Sequence, residues 1–244
     1  MSPAVGIALL VLSAAPAERF REANEAARGG DYPKAIAGYA EVAGSGAESA
    51  SLYWNWAQAA SARGASGEAL FALLRARELE PGDGAVAREV ECVCQAANLD
   101  PAEIAPEPLA ALGRWCRRLH LSLLALTLAL VSIALHAVGR WLPRGRRFTV
   151  AGLWSLGGAI ALGALPLAAS LARPTAVVVR RGTPLLEGAS PTAAPVGASR
   201  EGEVVPVLDD GGAFLRVEDS SGARGWAHVG DVRRLDRALA NLGR

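Results

Sequence analysis

Residues 119–138 read LHLSLLALTLALVSIALHAV, twenty residues without a formal charge, and residues 150–172 make a second uncharged run of 23. At 1.5 Å of rise per residue, about 20 helical residues cross a hydrocarbon core of about 30 Å. Arginines flank both runs, and Trp115, Trp141 and Trp154 lie at or near their ends, where amphipathic rings settle among headgroups. A pair of buried core helices is the competing reading, but such helices usually hold only about 10–14 apolar residues. Gly152, Gly157, Gly158 and Gly163 make the second run smooth. Ala159 and Gly163 form a small-xxx-small pair, so the pattern predicts two closely packed transmembrane helices. Pro166 predicts a kink in the second. His120 and His136 fall about 160° apart around the first helix and do not form one site.

Charge sorts the rest of the chain around these runs. The total is close to neutral, +1 over 244 residues, which argues against a nucleic-acid-binding protein. Residues 18–112 nevertheless hold 15 acids and 8 bases, residues 113–173 hold 8 arginines and no acid, and residues 174–244 hold 9 of each. With 51% hydrophobic residues and a mean hydropathy of +0.23, this composition predicts a segmented membrane protein. Arg140, Arg144, Arg146 and Arg147 lie in the short connection between the runs and place it in the cytoplasm. Arg114, Arg117, Arg118, Arg173, Arg180 and Arg181 lie on the outer flanks and weaken that bias. At the N-terminus, the apolar stretch 4–12 followed by Ala15-Pro16-Ala17 reads as a signal peptide over 1–17. Met1-Ser2-Pro3 lacks a basic side chain, so an uncleaved N-terminal anchor stands beside it. With an exporting signal, both soluble parts are expected in the periplasm, on the outer face of a bacterial inner membrane.

In the segment 18–112, Ala23, Ala26, Gly30 and Ala35 recur 34 residues later as Ala57, Ala60, Gly64 and Ala69. That is the period of tetratricopeptide repeats, in which small residues let paired helices approach. The second unit is the fuller one, with Tyr53, Trp56, Ala57, Ala60, Gly64, Ala69, Leu73, Ala76 and Pro81. A third, incomplete unit starts near Gly84. The first helix of each pair lines the inner face of such a stack. The repeat frame puts Asn24, Gln58 and Cys92 at one position there, beside Arg28, Trp54 and Arg88. A partner-binding groove formed by Trp54, Asn24, Arg28, Gln58 and Arg88 is therefore expected; an ordinary solvated face is the plainer alternative. Trp54 favours binding because large aromatics dominate interface hot spots. Tyr53 and Trp56 are expected between helices, since consecutive helical residues point around the whole circumference. Cys92 and Cys94, two apart on one helix, cannot bridge each other.

After residue 172 the pattern turns to period two. Thr175–Val179, Thr183–Leu186, Gly202–Leu208, Phe214–Val217 and Gly225–Val229 are strand candidates, with turns at Asp209-Asp210-Gly211-Gly212 and Ser220-Ser221-Gly222. Several short strands in 174–235 predict a small barrel, with 236–244 as a tail. The order Leu185 to Ser190, Gly202 to Val207, Phe214 to Val217, Asp219 to Gly222 and Gly225-Trp226 resembles a bacterial SH3-like domain. Trp226 is expected in the barrel core. The resemblance implies peptidoglycan as a second ligand, while a proline-peptide groove would need more exposed aromatics than Phe214 and Trp226.

The expected fold is thus multi-domain: all-α tetratricopeptide repeats, a transmembrane helical hairpin and a small all-β barrel. Asn24, Gly30-Asp31-Tyr32, Ala35-Ile36 and Tyr39, then Ser49, Leu52-Tyr53 and Asn55, together with the downstream order, resemble the E-type proteins of bacterial aerotolerance (Bat) operons. The resemblance implies a membrane scaffold working beside a MoxR-type AAA+ ATPase and von Willebrand A-domain proteins. Catalysis is not expected: the chain has no G-x-x-x-x-G-K-[ST], H-E-x-x-H or G-x-S-x-G motif and only three histidines. No cofactor or metal is expected. The competing function is an envelope sensor whose SH3-like part binds peptidoglycan.

Overall fold

The computed structural model describes residues 3–100, 104, 112–113, 115–116, 119–141, 146–169 and 173–235. The sequence-based expectations at 1–2, 101–103, 105–111, 114, 117–118, 142–145, 170–172 and 236–244 lie outside the described residues. The chain forms two compact units, one of helices and strands and one of two apolar helices.

The first unit opens with α1 (Pro3–Arg28), α2 (Tyr32–Gly44), α3 (Ala50–Arg63), α4 (Ser66–Leu79) and α5 (Gly84–Ala97), each packed on the next. The expected cleavage site falls inside α1, which runs unbroken through Pro16. The 34-residue period is physical as well as lexical. Gly30, Gly64 and Asn98 end α1, α3 and α5 with φ of 80°, 79° and 53°, in the left-handed region. Glycine enters that region without strain, and asparagine is among the side chains that tolerate it best. Ser49 and Asp83 hold equivalent starts, accepting from the amides of Leu52 and Ala85. The buried positions repeat too: Ala35 with Ala69, Ile36 with Leu70, Tyr39 with Leu73, Leu52 with Val86, and Trp56 with Val90.

Ala57 and Ala69 are both fully buried where paired helices meet. Ala57→Leu or Ala69→Leu is therefore expected to overpack the stack by about 1–3 kcal/mol. Thermal unfolding of the detergent-solubilised chain would show a lower melting temperature for each; an unchanged value for both would mean the alanines are not at helix contacts.

Seven antiparallel strands complete this unit: β1 (Thr175–Val178), β2 (Thr183–Leu186), β3 (Pro195–Ser199), β4 (Val204–Asp210), β5 (Phe214–Glu218), β6 (Arg224–His228) and β7 (Val232–Arg234). Their order is β3-β2-β6-β5-β4-β1-β7, around a core that includes Val178, Leu185, Val205, Leu215, Val217, Ala227 and Val232. Sequence alternation marks neither β3, whose Pro195, Gly197 and Ala198 lack it, nor β7, which is three residues long.

Trp226 corrects an expectation. It is half-buried on the outer face of the sheet, opposite Leu186 and Arg216, and is not in the core. The inner face of β6 carries Gly225 and Ala227 instead. A Cβ on Gly225 would stand 2.6 Å from that of Leu185, so this face has no room for a ring. The Trp226 indole lies against Gly211, where an added Cβ would come within 2.8 Å of it.

The second unit contains α6 (Leu121–Trp141) and α7 (Arg146–Ala169), packed along one another. Ser132 Oγ donates to the Gly152 carbonyl at 2.8 Å and Ser155 Oγ to that of Leu128 at 2.7 Å, two cross-helix bonds in apolar surroundings. Gly152 leaves the space that the His136 ring occupies, and Ala159 is buried against α6. Leu126, Leu130, Ile133, Leu153, Ile160 and Leu167 face outward. Both helices are long and apolar enough to cross a membrane, with mean hydropathies of 2.3 and 1.7.

Candidate functional site

The first helix of each pair, α1, α3 and α5, carries the residues that the repeat frame groups together. Asn24 is half-buried, and its Oδ1 accepts from Tyr39 Oη at 2.8 Å and from Asn55 Nδ2 at 2.9 Å. Gln58 Nε2 donates to Glu89 Oε1 at 3.2 Å. Two of the five groove candidates therefore tie neighbouring helices together, α1 to α3 and α3 to α5. Trp54 is half-buried and packs on the margin of the helical core, while Tyr53 and Trp56 are wholly buried, as the spacing predicts. Arg28 and Arg88 are exposed. Burial raises the Tyr39 phenol above its usual range, and the positive charge of Arg28 opposes that shift. Among the described residues, none of the five candidates hydrogen-bonds another. Cys92 is exposed and Cys94 lies in the core.

On α4 the sequence reading missed a second polar system. Every residue from Ala69 to Ala76 is buried, Arg75 included, because other helices cover one side of α4 and strands the other. A helix that is apolar all round belongs inside, and the run Ala69-Leu70-Phe71-Ala72-Leu73-Leu74 was the available signal. The Arg75 guanidinium donates to Glu48 at 2.8 Å, to Glu78 at 2.7 Å and to the Leu235 carbonyl at 2.7 Å. It also lies 5.5 Å from the centre of the Tyr53 ring, and Tyr53 Oη donates to Glu48 at 2.7 Å. Burial alone would make the Arg75 guanidinium less basic. Tyr53, Glu48 and Glu78 outweigh burial and hold it above its usual value. Burial, reinforced by Glu48, pushes the Tyr53 phenol well above the ordinary tyrosine range.

Arg233, on β7, stands over the rings of Trp56 and Phe71 at 5.1 and 5.6 Å and pairs with Glu68 at 3.3 Å. Burial lowers its basicity against the opposing pull of Glu68. At the start of α4, Ala65 offers no capping side chain; Glu201 accepts from the Gly67 amide at 3.0 Å instead. A cleft of about 760 Å³ runs along this seam, lined by Arg63, Glu68, Arg180, Arg181, Asp231 and Arg233 among others. Arg180 pairs with Asp231 at 3.0 Å and Arg181 with Glu201 at 3.6 Å. The acids Glu68, Glu201 and Asp231 of this cleft are thus each matched by an arginine. Among the described residues, no three His, Cys, Asp or Glu side chains come together as a metal site would require.

These features define a mixed class: a helical stack joined to an antiparallel sheet, with two apolar, membrane-length helices inserted between them in the chain. Comparison with known protein families, with curated proteins and with solved structures finds no match.

Proposed function

We propose that this chain is a membrane-anchored, non-catalytic scaffold whose helical pairs are tetratricopeptide repeats that recruit another envelope protein. The observation that supports the repeat reading best is the recurrence of left-handed caps at Gly30, Gly64 and Asn98. It brings with it recurring helix starts and a recurring buried set, so three successive units share one frame. In that frame the sheet is SH3-like, and the whole resembles E-type proteins of aerotolerance operons. The partners this implies are a MoxR-type AAA+ ATPase and von Willebrand A-domain membrane proteins. The half-buried Trp226 on the outer sheet face supports a second reading, an envelope sensor that binds peptidoglycan there.

The recruiting surface in this proposal is the face around Trp54, with Asn24, Arg28, Gln58 and Arg88. Trp54→Ala is expected to keep the melting temperature and the helical signal, and to weaken partner binding by about 2 kcal/mol, roughly thirtyfold. Co-purification from detergent-solubilised membranes is the measurement. Undiminished recovery of the partner would move the docking surface elsewhere.

Orientation follows from the arginine-rich connection and the signal-like N-terminus. Both soluble parts are proposed to be periplasmic, with the connection between α6 and α7 cytoplasmic. A reporter that is active only in the cytoplasm should be silent when fused after the last residue of the chain. Activity there would reverse the assignment.

A further inference from the structure

The strands pack on α4 as part of one body, although both apolar helices lie between them in the chain. Val177 and Leu235 belong to the hydrophobic core of the helices, and Val179 and Val204 pack against it. Gly67 lies so close to β1 that a Cβ there would overlap the Val178 carbonyl and the Val179 Cα. Leu99 sits equally tightly on Gly202. Glu201 caps α4, Arg75 holds the Leu235 carbonyl, and Arg233 covers Trp56 and Phe71. The side of α4 that faces the strands is apolar and closely fitted; of its charges, Glu68 is answered by Arg233 of β7, and Arg75, paired with Glu48 and Glu78, also holds the Leu235 carbonyl that follows β7.

We infer that the sheet is the closing element of the helical stack, and that the stack closes only after both apolar helices have inserted. The inference rests on the membrane-spanning reading of α6 and α7. One crossing would leave the strands across the bilayer from α4; two crossings return them to it. Synthesis separates the events as well. More than a hundred residues follow α5 before β7 is complete. At about 5–20 residues per second, α4 stays uncovered for on the order of ten seconds. A chain whose second crossing fails keeps Trp56, Phe71 and Arg75 without their strand partners. The fold thereby couples completion of the recruiting stack to correct membrane insertion.

The test uses the full chain in native membranes, with Cys92, Cys94 and Cys116 changed to alanine. Arg63→Cys and Arg180→Cys are placed on the cleft that both residues line, and a short bismaleimide is added. A second chain also carries Gly157→Arg and Ile160→Arg in α7. Gly157 has no neighbour within 4 Å of an added Cβ and Ile160 is 65% exposed, so these changes oppose insertion without touching α6. Ser221→Cys alone, labelled by a membrane-impermeant maleimide, reports the side on which the strands lie. The expected result is efficient cross-linking in the parent and at least a tenfold loss in the double-arginine chain, with Ser221→Cys changing sides. Failure of the parent to cross-link, or undiminished cross-linking in the double-arginine chain, overturns the inference while α6 and α7 still hold the chain in the membrane. Cross-linking in a parent chain that alkaline washing releases from membranes overturns the spanning reading, and insertion-dependent closure with it, but leaves the helix–sheet contact standing.

Discussion

Arg75→Ala is expected to destabilise the helical unit by about 3–5 kcal/mol, the range seen when one partner of a buried ion pair is removed. The side chain is 8% exposed and Glu48 is 14% exposed, so solvent screens little of the interaction. Truncation strands the Glu48 carboxylate in the core beside Tyr53 and leaves the Leu235 carbonyl without its donor. Both losses act at one place, around the buried guanidinium. Arg75→Met combined with Glu48→Gln should recover part of the loss, because the uncompensated charge is gone while the volume is kept. Thermal unfolding of the two variants against the parent measures this. Equal melting for Arg75→Ala and the parent would mean that the guanidinium is solvated.

Trp56→Ala is the second large effect, about 3–5 kcal/mol for truncating a buried aromatic. Trp56 is 0% exposed, stacks on Tyr53 at 5.9 Å, meets Phe71 edge-on at 5.8 Å and carries Arg233 over its ring. Alanine would leave a cavity at the meeting point of α3, α4 and β7. Among the described residues the buried Trp56 Nε1 has no acceptor, so part of what the ring contributes is offset by an unsatisfied donor. Trp56→Phe removes that donor and keeps an aromatic, and should lose far less than alanine. The contrast with Trp54, two residues earlier and only half-buried, separates a packing role from the recruiting one proposed for Trp54. If Trp56→Ala unfolds at the parent's temperature, the ring does not support the stack.

Local signals were the legible ones. Helices and the 34-residue frame depend on residues near one another in sequence, so Gly30, Gly64, Ala35 and Ala69 could be read directly. The two apolar runs depend only on length and missing charge. Asn98 was harder, because the same left-handed end is written there with a different residue. The contacts that close the unit could not be read at all. Gly67 with Glu201, Glu68 with Arg233 and Arg75 with Leu235 join residues more than 130 positions apart. Each looks like an ordinary surface charge or a helix-start glycine until the strands arrive. Trp226 misled for a different reason. In a Gly-Trp-Ala strand the large residue is the natural candidate for the inside, yet Leu185 already fills the space beneath Gly225.

The end position of β3 has a consequence for the chain among its own copies. β3 is last in the strand order, and the stretch from Ala189 to Ser199 carries no charge, so its outer edge lacks the lysines and acids that usually repel a neighbouring strand. Val196 stands 49% exposed on it. What blunts this edge is brevity, at five residues, and Pro195 at its first position, which has no amide hydrogen to offer. Between them, brevity and Pro195 leave an incoming strand from another copy only a short and incomplete ladder to extend.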